Sequence, residues 1–389
     1  MIFNRSIFFV GMLVFISTLI VACGGKAANS MGFERYHHTV TLMPDGKALV
    51  VGGLDSKGIG IGNGEIYDPS LDSWSPTGIM VTPRGNHSSE LLSDGRVIAV
   101  GGKSSQVRMA GSAEIYDPSS NSWNWLAGDG TTRDSFDSVL LPGGKVLISG
   151  GYASLRKSYG TKLDTSIVEV FDVNTSKFSE VSPLAHDRRN HTSLLLPDGR
   201  VLVVGGLVDD TVDGPKKDTL ASTEIYDIES DSWSLGAVMA QGRGLHTATI
   251  LLDGKILVIG GVNTARQTIS SAELYDPTTD SWAPAASMSQ ARDGHTGTLL
   301  SDGRVLVVGG NGTSEGLSLT SAEIYDPSSN SWSSAGNMLD GRSHHTTVQL
   351  NDGRVLVAGG LLGTDNPLST VDFYSTATNS WSSAIQPSN

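Results

Sequence analysis

The sequence predicts an all-β chain folded as a seven-bladed β-propeller, with four antiparallel strands in each blade. Three observations carry that expectation. A glycine pair recurs at Gly52–Gly53, Gly101–Gly102, Gly150–Gly151, Gly205–Gly206, Gly260–Gly261, Gly309–Gly310 and Gly359–Gly360, in steps of 49, 49, 55, 55, 49 and 50 residues. A large aromatic closes each copy: Trp74, Trp123, Phe178, Trp233, Trp282, Trp332 and Trp381. Between these marks every copy spells four short β-type segments, and a period in this range signals stacked repeats.

Residues 292–338 show the elements in order. "HTGTLL" alternates as a half-buried strand. "SDGR" puts Asp-Gly at the centre of a hairpin turn, and "VLVVGG" is a second, wholly apolar strand. A variable loop leads to "AEIYDP" as the third strand, "PSSNS" supplies the next turn, and "SWSSAG" is the fourth. A meander of this size cannot cover both of its faces, so neighbours must, and radial stacking of about 4–8 sheets does so. Copy one starts with its own first strand near Arg35, and copy seven ends with its own fourth strand at Trp381. The ring is therefore expected to close by packing blade 1 on blade 7, with no strand shared between the termini.

Composition narrows the function classes. The 389 residues carry a net charge of −13 with no Lys/Arg-rich run, which leaves a nucleic-acid partner without an electrostatic footprint. Cys23 is the single cysteine, so neither an intrachain disulfide nor a zinc site of several thiolates can form. No metal is expected.

The N-terminus has its own pattern. Arg5 is the one charge before an apolar stretch from Ile7 to Ala22, which ends in "IVAC" at Cys23. That order fits a secretory signal, and the stretch is short for a spanning helix of about 20 residues. The cysteine at the cut resembles the lipobox of bacterial lipoproteins. The resemblance implies a signal peptide over residues 1–22, lipid on Cys23, and attachment to the cell envelope at the outer membrane or cell surface. Gly24 follows the cysteine, where an Asp would resemble an inner-membrane retention signal. Residues 23–30 are expected to be a flexible tether, and residues 31–389 the propeller.

The period, the Gly-Gly pair, the Tyr of the third strand and the Trp of the fourth resemble the kelch repeat. The added Arg-x-x-His before each first strand is similar to the galactose-oxidase-like kelch superfamily. This resemblance implies the fold over residues 31–389 and says little of activity, because one fold hosts many. Galactose oxidase itself carries copper with a tyrosine–cysteine crosslink. With Cys23 assigned to the lipid that cofactor is excluded, and no cofactor is expected.

Topology places the recurring residues. In an up-and-down sheet the start of strand 1, the end of strand 2 and the start of strand 3 share one face, here called the upper face. Arg35, Arg84, Arg133, Arg188, Arg243, Arg292 and Arg342 lie there, matched by Glu65, Glu114, Glu169, Glu224, Glu273, Glu323 and Asp372. One guanidinium and one carboxylate per blade predict ion pairs between blades; a ring of arginines for an anionic ligand is the alternative. His38, His87, His191, His246, His295 and His345 begin the innermost strands, with Phe136 in their place in copy three. Seven-fold spacing keeps such imidazoles too far apart to share an ion at about 2.0–2.1 Å, so structural hydrogen bonding is the expected role.

A unique site must break the symmetry. The loop from the glycine pair to the acid of strand 3 has 11 residues in copies 1, 2, 5 and 7, 12 in copy 6, and 17 in copies 3 and 4. Copy three offers Tyr152, Arg156, Lys157, Tyr159 and Lys162, and copy four offers Asp209, Asp210, Asp213, Lys216, Lys217 and Asp218. Long loops on a rigid scaffold are where binding concentrates. Copy three also lacks the Trp (Phe178) and the hairpin Asp, and it adds Asp134 and Asp137 beside the channel. His186, Asp187 and Arg189 stand on the connection into copy four. Neutral drift in a tolerant repeat would look similar. "DDTVDG" loosely resembles a calcium loop but lacks the spacing and the terminal Glu.

Three functions stay open. The first is a non-catalytic recognition module binding an envelope protein or glycan through the loops of blades 3 and 4, as a monomer. The second is a periplasmic sugar-active enzyme, since bacterial kelch propellers include sialic-acid mutarotases; Asp134, Asp137, Asp187 and Arg189 are its only acid–base candidates. The third is an architectural part of an envelope assembly.

Overall fold

The computed structural model describes residues 26–27, 30–104, 111–154, 162–211, 214–314 and 316–383. Cys23, Arg156, Lys157, Tyr159 and Asp213 lie outside the described residues, and of Lys162, Asp210 and Lys216 only the strand pairing is described. The described residues form strands, turns and loops without a helix. Seven antiparallel sheets follow one another in chain order, six of four strands and one, in blade 1, of four with a short fifth added at its outer edge. In blade 6 the strands are Thr296–Leu299, Val305–Val308, Ser321–Asp326 and Ser331–Asn337.

The second strands, such as Val305–Val308, are buried along their length because blades cover them from both sides. The innermost strands are different. Thr39–Leu42, Ser88–Leu91, Thr296–Leu299 and Thr346–Gln349 are partly exposed at every position, since they line an axial channel. Each innermost strand packs beside the next, and Thr346–Gln349 packs against Thr39–Leu42 to close the ring.

Closure is made by two complete blades. Val50, Trp74, Leu356 and Phe373 share one core cluster with Met31, and the main chain at Met31 donates to Ser369 O at 2.9 Å. Lys26–Ala27 departs from the tether expectation and pairs with Trp74 and Ser73 on the outer edge of blade 1. An outermost strand presents unpaired N–H and C=O groups, which explains the pairing.

The recurring aromatics pack the layers. Tyr275 faces Trp282 across the third and fourth strands, with ring centroids 5.1 Å apart. The Tyr275 hydroxyl donates to Asp280 at 2.9 Å, and Trp282 Nε1 donates to Ala237 O of the preceding blade at 3.1 Å. Blade 3 has Phe171 and Phe178 instead, a pair without either polar tip. The glycine pairs sit where only glycine fits: at Gly205, φ is 62°, and a Cβ would stand 2.5 Å from Arg243 O.

Candidate functional site

The arginines are structural staples. Arg84 is fully buried and donates to Gly101 O at 2.7 Å, Ser112 O at 3.1 Å, Ser112 Oγ at 2.7 Å and Glu114 Oε1 at 2.8 Å. Glu114 also accepts from the main-chain N–H groups of Val81 and Thr82, at 2.7 and 2.8 Å. The pattern repeats: Arg243–Glu273 and Arg292–Glu323 both stand at 2.8 Å. Each arginine pairs with the acid of its own copy, and the Arg84 pair joins two blades as expected, since Arg84 ends the strand Ser73–Arg84 of blade 1 while Glu114 lies on the third strand of blade 2. The main chain adds a second tie to blade 1, where Arg84 O accepts from Gly53 N at 2.9 Å. Burial pulls the Arg84 guanidinium below its ordinary value and Glu114 opposes the shift. A guanidinium so engaged is not offered to an anionic ligand.

The histidines form a second belt. Nε2 of His87 meets Thr39 Oγ1 at 3.2 Å, and Nε2 of His295 meets Thr247 Oγ1 at 3.0 Å. His345 and His38 repeat the contact with Thr296 at 3.0 Å and Thr346 at 2.8 Å. Burial pushes His87, His246 and His295 down to about 3, so they are neutral near pH 7.

Above them lies a third belt, made of backbone. The residue before each histidine position has a left-handed conformation: His37, Asn86, Ser135, Asn190, Leu245, Gly294 and His344, with φ from 47° to 57°. Their peptide groups bond head to tail around the axis. His37 N donates to His344 O at 3.1 Å, Asn86 N to His37 O at 2.9 Å, and Asn190 N to Ser135 O at 2.8 Å. Leu245, Gly294 and His344 continue the belt at 3.1, 3.3 and 2.8 Å. Only the step from Ser135 N to Asn86 O lacks a bond among the described residues. The belt and the histidines together line a cavity of about 260 Å³ at the upper mouth of the channel.

The break falls in one sector. Phe136 replaces the histidine beside it. Asp137 occupies the position where other blades offer a Thr or Ser hydroxyl, and it accepts from Ser193 N at 2.6 Å and Ser138 N at 3.0 Å. His191 turns to Ser149 Oγ at 2.9 Å, and neither ring nitrogen of His246 has a hydrogen-bond partner. Ser138 Oγ donates to Glu90 Oε1 at 2.9 Å and lies 2.7 Å from Ser88 Oγ. Burial raises both Glu90 and Asp137 to about 7, and the Asp137 charge adds to the shift at Glu90. Glu90 was not singled out from the sequence. The signal was there, since Thr41, Thr249 and Thr298 hold the same strand position in copies 1, 5 and 6.

The same sector carries the long loops, folded as ribbons. Tyr152–Ser154 pairs with Arg133–Asp134 and with Lys162–Asp164, and Leu207–Thr211 pairs with Gly214–Thr219. Arg189 ties them together through ion pairs with Asp164 at 3.0 Å and with Asp209. Arg266 of blade 5 pairs with the other oxygen of Asp209. The Arg189 guanidinium lies over the Tyr152 ring, 5.2 Å from its centroid. Asp218 accepts from Thr264 Oγ1 at 3.2 Å. Of the proposed acid–base residues, Asp134 is buried and accepts from Ser135 Oγ at 3.0 Å, and Asp187 is half-buried on the connection into blade 4. Arg189, held by two carboxylates, is placed to order the loops.

Comparison with known proteins agrees with this geometry. A family profile described as the KLHDC2/KLHL20/DRC7 Kelch-repeats domain matches residues 190–389. No curated protein matches the sequence significantly. Among solved structures, a fungal alcohol oxidase of the AA5 family in complex with copper superposes with a TM-score of 0.70 and 19% identity, over 90% of this chain and 76% of that one. The structure of YjhT gives 0.61 and 16% identity, over 78% of this chain and 97% of the other. At such identities the likeness is one of fold.

The copper of the oxidase does not fit here. Among the described residues no three His, Cys, Asp or Glu side chains come together to hold a metal ion, and four of the channel histidines turn Nε2 onto a threonine. The repeat, the blades and the profile match agree: the chain belongs to the kelch-repeat family of β-propellers.

Proposed function

We propose that this chain is a lipid-anchored recognition module of the cell envelope, holding a protein or glycan partner on the upper face at blades 3 and 4. The observation that carries the reading is coincidence in space. The two long loops, the opened backbone belt and the altered channel wall all fall in one sector of an otherwise repeating ring. Among the described residues Arg189 and Arg266 are neutralised by Asp164 and Asp209, which suits a preformed platform better than proton transfer. Attachment rests on the lipobox-like "IVAC" before the propeller.

Binding is tested by thermal shift against sialic acids, other envelope sugars and peptidoglycan fragments, with in-cell crosslinking for protein partners. A ligand at 100 times its Kd adds about 2.7 kcal/mol. Shortening both 17-residue loops to 11 residues should abolish the response while leaving the ring folded. A response unchanged by the shortening refutes the loop site.

A second reading, a sugar-active enzyme resembling the sialic-acid mutarotases, is favoured by Glu90 and Asp137. Carboxyls held near pH 7 by burial can give and take a proton. Anomer exchange of sialic acid followed by NMR, lost in Glu90→Gln and Asp137→Asn, would support it; no exchange with the intact protein removes it.

A further inference from the structure

Blade 1 departs from the repeat at its rim. In the turn between the third and fourth strands, the residue one before the left-handed position is Ser120, Thr175, Ser230, Thr279, Ser329 or Thr378 in the other copies. In five of them that hydroxyl meets the serine opening the fourth strand, at 2.8 Å for Ser120 and Ser122 and 2.7 Å for Thr279 and Ser281. Blade 1 has Leu71 there, 71% exposed. An apolar side chain has replaced a hydrogen-bonded hydroxyl and gained no cover in exchange.

The position is informative. Two and three residues later, Ser73 and Trp74 pair with Ala27 and Lys26. Lys26 lies three residues after Cys23 in the sequence, a reach of about 10 Å. Further along the same strand Ile79 and Val81 are exposed on either side of the buried Met80. Val81 N donates to Glu114, and Glu114 faces Trp125 of blade 2, which is also exposed. Leu71 thus stands in the turn beside the tether, Ile79 and Val81 lie further along the strand that the tether joins, and Trp125 lies in blade 2. Exposed apolar groups beside an anchored terminus suit contact with lipid, and tryptophan favours the level where lipid meets water.

We propose that the outer rim of blade 1, through Leu71, Ile79 and Val81 with Trp125 beside them, docks on the bilayer that holds the Cys23 lipid. The inference rests on the anchor reading above. It sets the propeller on its edge, so that neither mouth of the axial channel faces lipid and the loops of blades 3 and 4 stay open to partners.

Cys23 is the only native cysteine, and lipidation blocks its sulfur, so an introduced cysteine takes a label uniquely. The full chain is placed in vesicles of phosphatidylethanolamine and phosphatidylglycerol with a nitrobenzoxadiazole label at Leu71→Cys or Ile79→Cys. Ser230→Cys, at the Leu71 position of blade 4, is the control. Labels at 71 and 79 should lose most of their emission to spin-labelled lipid and resist aqueous iodide, while the label at 230 does the reverse. Labels at 71 and 79 as open to iodide as the one at 230 overturn the docking surface. Mass spectrometry of the N-terminal peptide separates the two failures. Unmodified Cys23 removes the anchor and the docking together, whereas lipid on Cys23 with water-exposed labels removes only the docking. Leu71→Ser restores the residue type of the other copies and should fold, while weakening lipid contact of the label at 79.

Discussion

Replacing Glu114 by glutamine keeps the shape of the side chain and removes its charge. Arg84 and Glu114 stand 2.8 Å apart with both side chains 0% exposed. In the same blade Arg96 and Asp94 stand 2.7 Å apart, 41% and 49% exposed. Distance does not separate the two pairs; burial does. Removing one partner of a buried pair strands the other charge and costs about 3–5 kcal/mol. Glutamine retains one acceptor for Val81 N or Thr82 N, which puts Glu114→Gln near the lower end, about 3 kcal/mol. The exposed control Asp94→Asn should cost about 0–1 kcal/mol. With an unfolding entropy of about 2.1 cal/mol/K per residue, a ring of roughly 360 residues loses ~4 °C in Tm for 3 kcal/mol if it unfolds as one unit. The double variant Arg84→Met/Glu114→Leu should fall short of wild type as well, because Gly101 O and Ser112 O lose their donor. Calorimetry of the four proteins checks the series. A Glu114→Gln protein within 1 °C of Asp94→Asn would refute the staple argument.

Further outcomes follow from the same geometry. The six channel histidines are held below their ordinary value, three of them at about 3, so stability is full above about 6.5 and is lost as pH falls toward 3. Glu90 and Asp137, raised to about 7, act with the opposite sign, adding stability below about 4 that is lost as pH rises through 7. Six groups outweigh two, so Tm should fall from pH 6 to pH 4, and Glu90→Gln should raise Tm more at pH 8 than at pH 5; a flat profile contradicts both. Gly205→Ala should destabilise far more than Gly199→Ala, because a Cβ at 205 meets Arg243 O at 2.5 Å while nothing lies within 4 Å at 199; equal midpoints in denaturant would contradict the clash. Arg189→Met should lower Tm, because the buried Asp164 carboxylate loses its cation, and should speed proteolysis within the ribbons of blades 3 and 4, since Asp164 and Asp209 lose their shared cation; digestion at the wild-type rate speaks against its ordering role.

What the sequence made legible was whatever recurs. Seven glycine pairs and seven closing aromatics define blades, and a matched Arg and acid in each copy define a staple, because a repeat averages away local ambiguity. The partner of a unique residue is not legible in this way. Arg189 reads as a free cation beside Asp187, yet its partners Asp164 and Asp209 come from two different loops that only the ring brings together. The left-handed belt is hidden for another reason. His37, Asn86, Ser135, Asn190, Leu245, Gly294 and His344 share a backbone conformation and no side-chain chemistry. Glu90 was legible in principle, as the one acid in a strand position held by threonine in three other copies. Leu71 was hidden because a lone surface leucine means nothing until the chain is seen to enter beside it.

The altered sector also bears on the alternative of drift. Blade 3 has lost the tyrosine hydroxyl, the tryptophan N–H, the channel histidine and one belt bond. At about 1 kcal/mol each, four lost hydrogen bonds are a large part of a typical stability of 5–15 kcal/mol. Random loss in a tolerant repeat leaves isolated gaps. Here new ties stand beside the gaps: Ser138 to Glu90, Ser193 to Asp137, His191 to Ser149, and Arg189 between two aspartates. Several of these join residues of neighbouring blades. The sector has exchanged one set of bonds for another, so the wall of the channel there has a shape that no other part of the ring repeats.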